Sequence, residues 1–296
     1  SRGLGDVYKR QVLDIRTNIL ADTDALYLTA IDKYGHELWR WTFPVNKLNQ
    51  ANEVLSPLSN KVTSTETENE LTVKAKNHTF IFSKKDGQLK GVSVDNRKIN
   101  FANGPRFIGA RRADRSLDQF YNHDDEKAKE KDRTYSEFPD AAVFTKLDVK
   151  EDGGNLVVTA NYKLGNLDKA QWTINPSGDL ALDYTYNFSG VVDLMGIRFD
   201  YPEDQVISKR WLGAGPYRVW QNRIHGTQYD VWENDYNDPI PGETFTYPEF
   251  KGYFGSVSWM NIRTKEGTIS LTNETPDAYI GVYQPRDGRD RLLYTL

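Results

Sequence analysis

The sequence predicts an all-β fold built as a large antiparallel sandwich. Three observations carry that expectation. Apolar residues fall at every second position through most of the chain, as in ALYLTAID (25–32) and HELWRWTF (36–43), which is the period of a half-buried strand. Between residues 141 and 188 the apolar runs are separated by Asp-Gly-Gly, Gly-Asn and Pro-Ser-Gly, turn chemistry at the spacing of about ten residues that marks a meander. No apolar pattern of helical period runs for ten residues or more.

In chain order, residues 1–11 (SRGLGDVYKRQ) show neither periodicity nor a cap and read as sequence text foreign to the domain, set aside from fold reasoning. The strands of 25–32 and 36–43 flank the turn Lys33-Tyr34-Gly35 and form a hairpin. Residues 44–70 are polar and weakly periodic, and their later part, 56–69, reads as a linker. Strands follow at 71–76, 78–83 and 89–94. The charged stretch 111–140 lacks alternation and is expected to be a long loop, with one short helical turn at 124–131. Further strands are expected at 141–150, 155–164, 170–176, 179–188, 194–202, 207–213, 252–264, 267–273 and 278–284. The chain ends in RLLYTL (291–296) with no polar terminator, which suggests truncation within a domain.

Composition narrows the function classes. The 296 residues carry 38 Lys plus Arg against 42 Asp plus Glu, a net charge of -4, so no basic patch argues for nucleic acid. No run approaches the roughly 20 apolar residues of a membrane-spanning helix. There is no cysteine, which removes disulfides, thiolate zinc sites and a Cys nucleophile. No signal-peptide pattern is present. Localisation stays open between a periplasmic or extracellular bacterial setting and the cytoplasm. Aromatics make up 12% of the chain, enough to serve a core, a sugar-binding surface, or both.

The chemistry-bearing patterns are sparse. No G-x-S-x-G occurs, and His36, His78, His123 and His225 do not stand at metal-ligand spacing from one another. His123 opens the run HDDE (123–126), which reads as a solvated loop. No catalytic residue, metal ligand or cofactor is assigned. Asp230, Glu233 and Asp235 interleave with aromatics in YDVWENDYND (229–238) and read as acidic candidates or as a turn rich in Asp and Asn. The segment WLGAGPYRVWQNRIHGTQYDVW (211–232) is the most informative. Gly213, Gly215 and Pro216 suit a tight passage after a strand. Arg218, Asn222 and Arg223 offer fork-shaped or amide donors, and Trp220 and Trp232 offer ring faces. With Asp235, these form the candidate carbohydrate-binding set; the same residues also suit a packed corner.

RWLGAGPYRVWQNR (210–223) resembles the motif Trp-x-Gly-x-Gly-Pro, followed by an aromatic and Asp-Arg, in the last domain of glycoside hydrolase family 2 β-galactosidases. Trp211, Gly213, Gly215, Pro216 and Arg223 fall on its positions. GHELWRWTFPV (35–45), FIFSKKDGQLKGVSVDNRKI (80–99) and YPEFKGYFGSVSWMNI (247–262) are similar, in the same order, to the end of the preceding β-sandwich and to two parts of that last domain. The resemblance implies a partial immunoglobulin-like sandwich at 12–55, a linker at 56–69 and a galactose mutarotase-like super-sandwich from 70 to 296. It places the catalytic glutamates in an upstream (β/α)8 barrel that this sequence does not contain.

The implied role is accessory: shaping the substrate entrance or an oligomer interface of a carbohydrate-degrading enzyme. The expected partners are a galactoside or related glycoside and the barrel of the same chain. A homo-oligomer is left open, and neither nucleic acid nor membrane is expected. The chain departs from the motif at Arg218, Val219, Trp220 and Asn222, and in the long loop 111–140, which points to a substrate other than a simple β-galactoside. Two other readings stand beside this one. One is an autonomous sugar-binding or sugar-converting super-sandwich using His225 and Glu233; the other is a purely structural domain.

Overall fold

A computed structural model of the chain describes residues 23–45, 61–112, 135–138, 140–192, 194–218, 224–235, 253–275 and 278–282. It divides into two compact units, Ser1–Glu53 and Val54–Leu296. The architecture is all-β and antiparallel, consistent with a β-sandwich; among the described residues the one helical element is a single 3-10 turn at Glu203–Gln205.

The first unit is represented by one hairpin, β1 (Ala25–Ile31) and β2 (Glu37–Pro44). Asp32 builds its turn by accepting the backbone N–H groups of Tyr34 and His36. Leu26, Leu28 and Ala30 stand opposite Phe43, Trp41 and Trp39, so one face is wholly apolar.

Among the described residues the second unit holds three sheets. The largest has eight strands. Its path runs β14 (Leu194–Asp200), β8 (Ala102–Arg112), β6 (Leu89–Val94), β5 (His78–Ser83), β4 (Glu70–Ala75), β3 (Thr63–Glu66), with β7 (Arg97–Ile99) on β6 and β9 (Tyr135–Glu137) on β8. The second is the meander β10 (Val143–Asp152), β11 (Asn155–Lys163), β12 (Leu167–Ile174), β13 (Leu180–Tyr186). The third runs β16 (Gln228–Asp235), β15 (Val206–Gly215), β17 (Trp259–Thr264), β18 (Gly267–Thr272).

Period-two burial explains the packing. Leu71 and Val73 of β4 and Phe80 and Phe82 of β5 interleave with Leu156 and Val158 of β11 and Trp172 and Ile174 of β12 in one core. Two sheets therefore face each other across a single apolar layer, the arrangement that buries one face of each. A second core, around Trp211, Phe254, Met260, Ile262 and Val282, lies under the third sheet. Phe101 packs against both cores and stacks on Phe199.

Several elements differ from the expectation. β3 lies inside the stretch read as a linker, because Thr63–Glu66 pair with Leu71–Lys74 despite being polar and exposed. β8 and β9 extend from both ends into the charged stretch 111–140, and the helical turn expected at 124–131 lies outside the described residues. The strand expected at 252–264 is regular only over β17. Before it, Phe254 makes an isolated bridge to Ile280, which is also the one strand-like pairing of the described part of 278–284. YDVWEND is a strand, β16, and not a turn. Its Asp and Asn content masks a period of two that the partner strand enforces.

Candidate functional site

The segment singled out in the sequence is the end of β15 with its neighbours on either side. Lys209, Trp211, Gly213 and Gly215 share one face of β15, opposite Asn234, Trp232, Asp230 and Gln228 of β16. Trp211 is fully buried and meets Phe254 edge-on, with ring centroids 4.7 Å apart, a favoured aromatic geometry. Its Nε1–H donates to the carbonyl of Ala214 at 3.0 Å.

The two glycines make room for two different neighbours. A Cβ on Gly213 would lie 2.9 Å from the Cα of Val257 and 3.1 Å from the carbonyl oxygens of Gly255 and Ser256. That stretch runs alongside β15, held by Ala214 N–H to Gly255 O and Ser258 N–H to Leu212 O. A Cβ on Gly215 would lie 2.3 Å from the Trp232 indole. The indole covers Gly215 and donates its Nε1–H to the carbonyls of Gly213 at 3.2 Å and Gln228 at 3.1 Å.

Asn234 extends the same construction. It stands opposite Lys209, six residue pairs from Gly215, roughly 20 Å along a straight strand. Its Nδ2 nevertheless donates to the carbonyl of Pro216 at 3.1 Å. The β15–β16 ribbon must therefore coil, with the chain doubling back after the cis Gly215–Pro216 peptide, and Trp232 fills the concave side. A side chain at 215 would occupy that space and one at 213 would meet the Gly255–Val257 backbone, which is why both positions are glycine.

The predicted site residues separate accordingly. Trp232 faces inward, half-buried on the third-sheet core. Arg218 lies half-buried and donates from Nη1 to the carbonyl of Val282 at 3.4 Å. Asp235 is exposed at the end of β16, and its carbonyl accepts from the buried Lys209 Nζ at 3.4 Å. Trp220, Asn222 and Arg223 lie outside the described residues.

Of the acidic candidates, Asp230 points to the Trp232 face, and its Oδ1 accepts the N–H of Val231 at 2.7 Å. Glu233 and Asp235 are exposed on the opposite face. His225 is exposed in the turn before β16, and Glu233 is exposed on that strand. His123 is outside the described residues. Among the described residues no group of three or more His, Cys, Asp or Glu could hold a metal ion.

Sequence reasoning missed three contributors: Asn234, Lys209, and the hydroxyl pair of Tyr229 and Ser258 at 2.6 Å. The available signal was the alternation of Gln228, Asp230, Trp232 and Asn234 with Tyr229, Val231, Glu233 and Asp235, which turn-like composition concealed.

Comparison with known families agrees with this architecture. The β-galactosidase small chain family matches residues 74–284. A search of curated proteins gives no match. The matched span covers more than two thirds of the chain, contains both cores but for Val62 and Leu71–Val73 at one edge, and includes the coiled Trp211–Pro216 ribbon; the chain belongs to the β-galactosidase small chain family.

Proposed function

We propose that this chain is the non-catalytic C-terminal region of a carbohydrate-degrading glycoside hydrolase of the β-galactosidase type, in glycoside hydrolase family 2. In this reading a catalytic barrel of the same protein supplies the acid and nucleophile glutamates, and this region shapes the substrate entrance or an oligomer interface. The hairpin of β1 and β2 closes an immunoglobulin-like sandwich, and the second unit is a mutarotase-like super-sandwich. The ligand is a galactoside or related glycoside, and no cofactor is required of this region.

The observation that carries the reading is family membership over residues 74–284. The geometry supports the accessory role. The most distinctive segment, Trp211–Pro216, spends its side chains and its missing side chains on packing.

Two measurements test it. The isolated chain, assayed on aryl β-galactosides and for α-galactose anomerisation, is expected to show no turnover; turnover of either overturns the accessory role. Reading the coding DNA upstream of codon 12 is expected to show a barrel with two paired glutamates, and an upstream region without one removes the reading.

A further inference from the structure

We propose that Glu266 is a latch that docks the third sheet, with the coiled ribbon it carries, onto the rest of the second unit. The third sheet shares no ladder with the other two: β16, β15, β17 and β18 form a closed list of neighbours among the described strands. Among the described residues its attachment rests on the chain connection through Glu203–Gln205 and on side chains. The apolar part of the joint is visible in Ile99, Phe101 and Tyr201, which belong to or flank the eight-stranded sheet and pack into the third-sheet core.

The polar part converges on one carboxylate. Glu266 sits in the turn between β17 and β18 and accepts three hydrogen bonds from the other side of the joint. Asn100 N–H donates to Oε2 at 3.0 Å, Asn100 Nδ2 to Oε1 at 2.6 Å, and Tyr201 O–H to Oε2 at 2.8 Å. The turn is set in advance. The buried Thr264 hydroxyl donates to Gly267 O at 2.7 Å and accepts Glu266 N–H at 3.1 Å. The neighbouring Lys265 N–H donates to Gln205 O at 2.8 Å. A turn set in advance fixes the backbone from which the carboxylate reaches across, so docking orders only its side chain.

The position matters because buried donors have no cheap alternative. Tyr201 is almost fully buried, and removing Glu266 would take the charged acceptor from its hydroxyl and leave it beside the neutral Thr264 hydroxyl. A charged acceptor also makes stronger bonds than a neutral one. The latch is thus the polar determinant of how the third sheet sits, and the sheet without it is a separable folding unit.

The test is native-state hydrogen exchange of the full chain, comparing Glu266→Ala, Tyr201→Phe and Glu266→Gln with the parent. Glu266→Ala is expected to speed amide exchange in β15, β17 and β18 by tenfold or more, while amides of β4, β5 and β11 keep their parent rates. Tyr201→Phe removes one of the three bonds without a cavity and is expected to act in the same strands by a smaller factor. Glu266→Gln keeps an acceptor and an amide that can face Asn100, and is expected to retain most of the protection. Equal acceleration in all three sheets, or no acceleration in the third, overturns the latch. Should Glu266→Ala fail to fold, Tyr201→Phe alone decides between local and uniform acceleration.

Discussion

Substituting Gly215 by Ala tests the coiled ribbon most directly. The added Cβ would sit 2.3, 2.5 and 2.6 Å from Cδ1, Nε1 and Cγ of Trp232, where carbon contacts rest at about 3.5–4.0 Å. The indole must therefore move by more than about 1 Å. Overpacking of this kind costs roughly 1–3 kcal/mol. Displacement also weakens the Nε1–H bonds to Gly213 and Gln228, worth about 1 kcal/mol net. Reduced freedom of the unfolded chain returns roughly 0.5 kcal/mol. The expected loss is about 1.5–3.5 kcal/mol, measured by urea unfolding followed by circular dichroism. Gly196→Ala in β14 is the control, since a Cβ there meets nothing within 4 Å; it is expected to be neutral or stabilising by about 0.5 kcal/mol. The double variant Gly215→Ala with Trp232→Ala separates clash from backbone effects, because the methyl should cost nothing further once the indole is gone. Equal stability of Gly215→Ala and Gly196→Ala, or an undiminished cost of Gly215→Ala in the Trp232→Ala background, would refute the reasoning.

Three further outcomes follow from the same structure. Gly213→Ala meets backbone rather than a movable ring, the Cα of Val257 at 2.9 Å, so it should cost at least as much as Gly215→Ala and should speed hydrogen exchange at Ala214 and Ser258, whose N–H groups hold the crossing stretch. Asp200 is nearly buried and binds both Arg106 and Asn103; Asp200→Ala should cost roughly 2–4 kcal/mol in urea unfolding, below the upper end for buried pairs because Arg106 keeps some solvent, and Asp200→Ala with Arg106→Ala should cost less than the sum of the single changes. Burial, and secondarily Asp86 and Asp140, push the Tyr162 phenol above its ordinary value of 10.0; the folded state then favours the neutral phenol, so its contribution to stability is intact below pH 10 and is lost as pH rises through the folded value. Melting temperature should accordingly fall above pH 10, and less steeply in Tyr162→Phe, which should also be neutral or slightly stabilising at pH 7 because the Tyr162 hydroxyl has no hydrogen-bond partner among the described residues.

Legibility in the sequence followed the physics of each element. β4, β5, β11 and β12 were readable because one face of each meets another sheet, so their alternation is written in Leu, Val, Phe and Trp. β3 and β16 were not. Thr63–Glu66 is a polar edge strand whose place is set by pairing with β4, and β16 carries Asp, Asn and Glu at the outer edge of its sheet, where water satisfies either a turn or a strand. The fold class was therefore recoverable, while β3 and β16 were lost to composition and β7, β8 and β9 were also not among the expected strands. For the site, Trp211, Gly213, Gly215 and Pro216 could be picked out as special, but not why. The neighbours that explain them, Trp232, Asn234 and Val257, lie 17 to 44 residues away in sequence, and long-range approach leaves no local pattern. The inward turn of the Trp232 ring was invisible for the same reason: an aromatic on an alternating strand reads alike whether it faces a sugar or a glycine.

The coiled ribbon also bears on what a sequence signature can certify. At Trp211–Pro216 each defining position answers to a neighbour inside the molecule: a ring needing an edge, a backbone needing passage, an indole needing a bare Cα. None of those demands refers to a ligand. Two chains could hydrolyse different glycosides, or none, and still be compelled to spell this segment the same way. Kinship read from it is kinship of architecture, and any preference for a ligand must be sought on side chains that this packing leaves free to differ.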